Sequence, residues 1–63
     1  MQPHQQRVVT EKEELDVKIA ALDGFIGGDI FACLDNGEQD RLVRQYKHMA
    51  QYSAVLGERI SNF

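Results

Sequence analysis

Between Arg41 and Phe63 the sequence carries four cations, Arg41, Arg44, Lys47 and Arg59, against one acid, Glu58. Arg41, Arg44, Lys47 and His48 step by three, three and one residues, so on a helix they share one broad face, which Gln51 continues a turn later. Guanidinium forks grip phosphate oxygens in pairs, and a ladder of cations neutralises a compact anion. Beside this ladder Gln45, Tyr52 and Arg59 recur every seven residues. On a straight helix such positions drift by only ~20° per heptad and form a column. The column offers an amide able to read a base edge, a ring able to stack and a guanidinium able to hold phosphate. Phe25 and Phe31 flank a glycine-rich stretch, where they either seal a bend or wall a pocket.

Each of these residues has a plainer use. From Glu11 to Asp40 there are nine acidic residues and two basic ones, so the cations of the third segment can pair with the acidic first segment, within one chain or between two. A tyrosine at the edge of an apolar stripe packs with its hydroxyl in water. Both uses stay open on the sequence alone.

Catalysis is not expected. His4 and His48 lack the short spacings of a histidine metal site, and neither has a Cys or Ser partner close in sequence. We therefore expect no enzymatic activity, no catalytic residue, no metal and no cofactor. Cys33 lies in the apolar run Ile30–Leu34, where a thiol behaves as a small buried hydrophobe; as the sole cysteine it excludes an internal disulfide. A net charge of −3 and a pI of about 5.1 repel long nucleic acid, whereas a local pocket for a compact anion tolerates an acidic protein. No apolar run approaches the ~20 residues a bilayer needs, and no basic start leads into an apolar stretch. No membrane partner is expected, and the chain reads as cytosolic.

The elements that position these residues follow from periodicity. Val8, Leu15, Ile19, Leu22 and Ile26 share one face at near-heptad spacing, which predicts a helix over about residues 5–24. Pro3 suits a first helical turn, and Thr10-Glu11-Lys12-Glu13 fits a capping box. Gly24, Gly27 and Gly28 interrupt the pattern; Ile30, Phe31 and Leu34 predict a short helical turn over 29–35, capped by Asp29. Asp35-Asn36-Gly37 is a turn signal whose first two residues can cap a following helix. Leu42, Tyr46, Met49, Ser53, Leu56, Ile60 and Phe63 then recur at alternating spacings of four and three, a heptad seam over about 38–61 with Ser53 as its polar interruption and Gly57 beside it. The expectation is an all-α, single-domain helical hairpin: two long helices with a short helical turn between them. Hydrophobic residues are 43% and charged residues 27% of the chain, which excludes a disordered chain. A domain this small buries only about 60% of its unfolded surface, so assembly as a homo-oligomer is expected. An interaction role, with the heptad seam docking a partner helix, is the alternative reading of the same seam.

Taken together, Arg7-Val8-Val9, Glu11-Lys12-Glu13-Glu14-Leu15, Lys18-Ile19, Leu22, Phe25-Ile26, then Phe31, Leu34 and Glu38, then Gln45, Met49, Tyr52, Leu56 and Arg59-Ile60 span nearly the whole chain. This arrangement resembles small phage proteins first catalogued as crAss-phage-related, themselves similar to the phage sponges that antagonise CBASS and Thoeris immunity. The resemblance implies a multimer, commonly a hexamer, in the host cytoplasm. It implies sequestration, without cleavage, of cyclic dinucleotides, cyclic trinucleotides or cyclic ADP-ribose isomers in pockets between subunits. Basic side chains there hold phosphates and aromatic ones meet bases. Carried over by position, Arg59, Gln45 and Tyr52 match the pattern's second helix; Arg41, Arg44 and Lys47 match it as a basic region, with Phe25 a candidate stacking wall.

Overall fold

The computed structural model describes all 63 residues. Its three helices, in chain order, are α1 (Pro3–Ile26), α2 (Asp29–Ala32) and α3 (Asn36–Ser61). The long pair runs antiparallel with the single turn of α2 between them, as the spacing predicts, in a rod of 46 × 14 × 13 Å.

Local chemistry explains the boundaries. Pro3 is the first residue of α1, where its fixed φ fits and its missing N–H loses nothing. The Gln5 side chain accepts from the Gln2 backbone N–H at 2.9 Å. The helix therefore starts two residues before the expected residue 5, and Thr10–Glu13 lies inside it rather than at its cap. At the other end α1 runs through Gly24 to Ile26, two residues past the expected stop at 24. One glycine costs about 1 kcal/mol in a helix, which packing overrides; the adjacent pair Gly27-Gly28 doubles that cost and ends the helix. Asp29 is the first residue of α2 and not its cap, which is Gly28 in extended conformation. The expected 29–35 turn shortens to Asp29–Ala32, because Asp35 leaves the helical region to cap α3, its Oδ1 accepting from the Glu38 N–H at 2.7 Å. The Gln39 side chain donates to the Phe31 carbonyl at 2.9 Å and ties the start of α3 to α2.

Between the long helices, Val8, Leu15 and Leu56 are buried, with Ile19, Met49 and Ile60 packed against them. Leu56, 1% exposed, is the most enclosed side chain; burial of one leucine contributes about 1.5–3 kcal/mol. Phe63 falls beyond the end of α3 and is exposed, so the seam closes at Ile60. Cys33 is exposed, not buried as its apolar neighbours suggest: the single turn of α2 brings Phe31 and Leu34 half under cover and leaves Ile30 and Cys33 on the outside. The chain exposes 4649 Å², against about 4,100 Å² typical of a compact protein of this mass. No helix is long and apolar enough to cross a membrane.

Candidate functional site

Positions on α3 sort the side chains onto distinct faces. The seam residues Met49, Leu56 and Ile60 turn to α1. Val43, Ala50 and Gly57 form a half-buried flank on one side of it, and Gln45, Tyr52 and Arg59 an exposed flank on the other.

A polar cluster crosses the seam beside the half-buried flank. Lys12 Nζ donates to Ser53 Oγ and to Asp16 Oδ2, both at 2.9 Å, and Ser53 Oγ donates to Asp16 Oδ1. Ser53 is 7% exposed, and its hydroxyl meets one donor and one acceptor, so its hydrogen-bonding capacity is met within the seam. The hydrogen bond from Ser53, followed by that from Lys12 and its charge, holds the Asp16 carboxyl below the ordinary aspartate value of 3.8. A Cβ at Gly57 would lie 3.4 Å from Lys12 Cε; the small residue makes room for a lysine stem rather than for a close backbone approach. The α1 spacing contained this signal, since Val8, Lys12, Leu15, Ile19, Leu22 and Ile26 also alternate by four and three. Lys12 occupies the place of a missing apolar residue.

The expected cationic ladder is solvent-facing. Arg41 Nε donates to Glu38 Oε1 and Arg44 Nε to Asp40 Oδ2, each at 2.9 Å on their own helix. Lys47 and Arg59 make no ion pair. Within the hairpin, then, the α3 cations do not pair with the acidic first helix; the one cation reaching across the pair is Lys12, from α1 to Ser53. Exposed pairs three and four residues apart are worth a few tenths of a kcal/mol, so Glu38 and Asp40 hold these guanidiniums only weakly. Arg59 lies in the last turn of α3, where the carbonyl ends favour a cation.

Gln45, Tyr52 and Arg59 do share one open column, about 10 Å between successive members. Gln45 Nε2 rests 3.8 Å from Met49 Sδ, a contact too weak to hold the amide against a ligand. Tyr52 is 45% exposed. Phe25 is exposed near the end of α1, whereas Phe31 is half-buried at the bend. The register set by Lys12, Asp16 and Ser53 puts Phe25 level with about residues 40–44 of α3. Phe25 thus sits near the Arg41 and Arg44 end of the rod and far from Arg59. Fifteen residues separate Arg44 from Arg59, roughly 22 Å along the helix. The seven candidate residues are therefore spread along one chain rather than gathered at one point, and the single chain has no enclosed cavity among them.

No solved structure matches the chain. A 7.5 kDa protein of Enterobacteria phage T4, encoded in the denB-rIIB intergenic region, is 35% identical over 63 residues, covering 100% of this chain and 98% of the relative. The Sequestin family matches residues 2–62, nearly the whole hairpin including every candidate residue named above. This chain belongs to the Sequestin family.

Proposed function

We propose that this chain is a phage anti-defence sponge: a homo-oligomer, most simply a hexamer, that captures cyclic oligonucleotide immune messengers in the host cytoplasm and holds them without cleavage. Cyclic di- and trinucleotides are the leading ligands and cyclic ADP-ribose isomers a further class. The family's name speaks for sequestration. Support for the ligand class comes from the open face of α3. There Gln45, Tyr52 and Arg59 offer edge, stacking and phosphate contacts in one column, while Arg41, Arg44 and Lys47 carry charge that only local pairs oppose. Arg44 and Arg59, about 22 Å apart along α3, do not close together on one compact ligand from a single chain, and a homo-oligomer would let ladder and column from different copies meet. A sponge acts by mass action and needs affinity and abundance rather than a general base.

Docking of a partner helix on the α3 seam finds no free surface, because Met49, Leu56 and Ile60 pack on Val8, Leu15 and Ile19 of the same chain.

Calorimetry with cyclic di-AMP, cyclic GMP-AMP, cyclic tri-adenylate and cyclic ADP-ribose tests the proposal. Heat with at least one, and recovery of that compound intact by chromatography after the protein is heat-denatured, is the expected result. Silence with all four at tens of micromolar protein removes the proposal, and a shortened or linearised product makes the protein an enzyme instead.

A further inference from the structure

The two sides of the hairpin are unlike. On α1 the residues Gln5, Val9 and Lys12 are half-buried, whereas His4, Arg7, Glu11, Glu14 and Lys18, spaced by three and four, are exposed. A Cβ on Gly57, in the half-buried flank of α3, would lie 3.4 Å from Lys12 Cε, so the half-buried flanks of the two helices meet on one side. The exposed flanks therefore open together on the other. Arg7 of α1 shares that open face with Gln45, Tyr52 and Arg59 of α3.

The register sets the level. Lys12 donates to Ser53 across the antiparallel pair, which puts Arg7, five residues earlier, opposite about residue 58 of α3. Arg7 and Arg59 thus stand side by side at the open end of the hairpin. Packed helix axes lie about 8–10 Å apart, so both guanidiniums reach one small anion placed between them. No acid answers this pair. None precedes Glu11 in the sequence, and Glu11, one turn on, makes no ion pair with Arg7. Glu58 lies about 200° round α3 from the buried Leu56, on the side away from α1. Lys12, Arg41 and Arg44 each pair with a carboxylate three or four residues away, whereas neither Arg7 nor Arg59 does. In a chain with ten acids and a net charge of −3, two adjacent exposed guanidiniums left without a carboxylate repel each other. A phosphate between them relieves that repulsion, and its oxygens match both forks.

We propose that Arg7 and Arg59 of one chain grip a single phosphate group at the open end of the hairpin, with His4 at its rim one turn before Arg7. Arg7 is thereby a phosphate-binding residue on α1, the helix that otherwise contributes only Phe25. This deepens the sponge reading, on which it rests for the molecule that carries the phosphate. With the phosphate at this pair, Tyr52, about 10 Å along α3 from Arg59, is left to meet a base. The clamp itself needs neither a nucleotide nor a second chain.

The test follows the arginine side-chain Nε–Hε resonances of 15N-labelled protein while inorganic phosphate replaces chloride at constant ionic strength. Arg7 and Arg59 are expected to shift along one saturable curve in the tens of millimolar, with Arg41 and Arg44 shifting less. R7Q is expected to raise the phosphate dissociation constant read at Arg59 by at least about fivefold, and R59Q to do the same at Arg7. R7K, which keeps the charge and loses the fork, should fall between R7Q and the wild type. Separate curves for Arg7 and Arg59, a substitution of either without effect on the other, or equal unsaturating shifts at all four arginines overturn the clamp. A second arm repeats the comparison by calorimetry with whichever cyclic nucleotide gives heat, where R7Q is expected to weaken binding and unchanged affinity overturns the clamp. Saturable phosphate binding at Arg7 and Arg59 with silence from every cyclic nucleotide upholds the clamp and removes the sponge reading.

Discussion

Lys12 Nζ donates to Ser53 Oγ at 2.9 Å across the hairpin, so the polar residue in the apolar stripe of α1 meets the polar residue in the seam of α3. Ser53 alone would leave a buried hydroxyl in an apolar interface; with the half-buried Lys12 donating to it and Asp16 accepting from both, it is satisfied. Such a pairing works in one register only. A slide of either helix by one heptad would set Lys12 against Ile60 or Tyr46 and Ser53 against Ile19 or Gln5, and a buried hydroxyl orphaned in this way costs about 1–3 kcal/mol. The cluster therefore holds α1 and α3 in a single alignment, as polar core positions do in coiled coils, and that alignment decides which α3 residues reach solvent.

Removing the hydroxyl tests this arrangement. S53A is expected to lower unfolding free energy by about 1 kcal/mol in urea melts. The effects of S53A and D16A should fall short of additivity, because both remove the same hydrogen bond. Full additivity would separate the two residues energetically.

Acid should reach the same cluster. Asp16 has its folded pKa below the ordinary 3.8, so the folded state holds the carboxylate more strongly than the unfolded chain does. That contribution is fully present above the unfolded value and is lost as pH falls through the folded one. The wild type is expected to lose stability more steeply than D16N below about pH 4, with parallel curves above pH 5. Equal slopes in acid melts would refute it.

Two helical glycines should respond alike for different reasons. A Cβ at Gly24 meets nothing within 4 Å, and one at Gly57 meets only the flexible Lys12 stem at 3.4 Å. G24A and G57A are each expected to stabilise the chain by about 0.5–1 kcal/mol in thermal or urea melts, from helix propensity. A larger side chain in G57L is expected to displace Lys12 and reverse the gain. Destabilisation by G24A would mean that another chain sits against that face.

Arg59 and Arg41 differ in what they must give up to bind an anion. Arg59 makes no ion pair, whereas Arg41 must release Glu38. R59A is expected to weaken messenger binding by about 1.5–3 kcal/mol in calorimetry with helical content retained, and R41A by less. Unchanged affinity in R59A removes it from the site.

Much of this protein is legible from its residues. The alternating fours and threes from Leu42 to Ile60, and from Val8 to Ile26, state two amphipathic helices; Pro3, Asp35 and the Gly27-Gly28 pair mark where they start and stop, because capping and propensity act within a turn or two. The exposed Gln45–Tyr52–Arg59 column is likewise a matter of heptad arithmetic. What the sequence did not disclose involves partners distant along the chain. Lys12 and Ser53 are forty-one residues apart, and no local rule says that one will satisfy the other or that Gly57 will shelter the lysine stem. Whether Arg41 and Arg44 meet the acidic first helix or their own Glu38 and Asp40 was undecidable for the same reason. Periodicity states which residues share a face, while only the alignment of α1 on α3 determines which face is covered and which remains open.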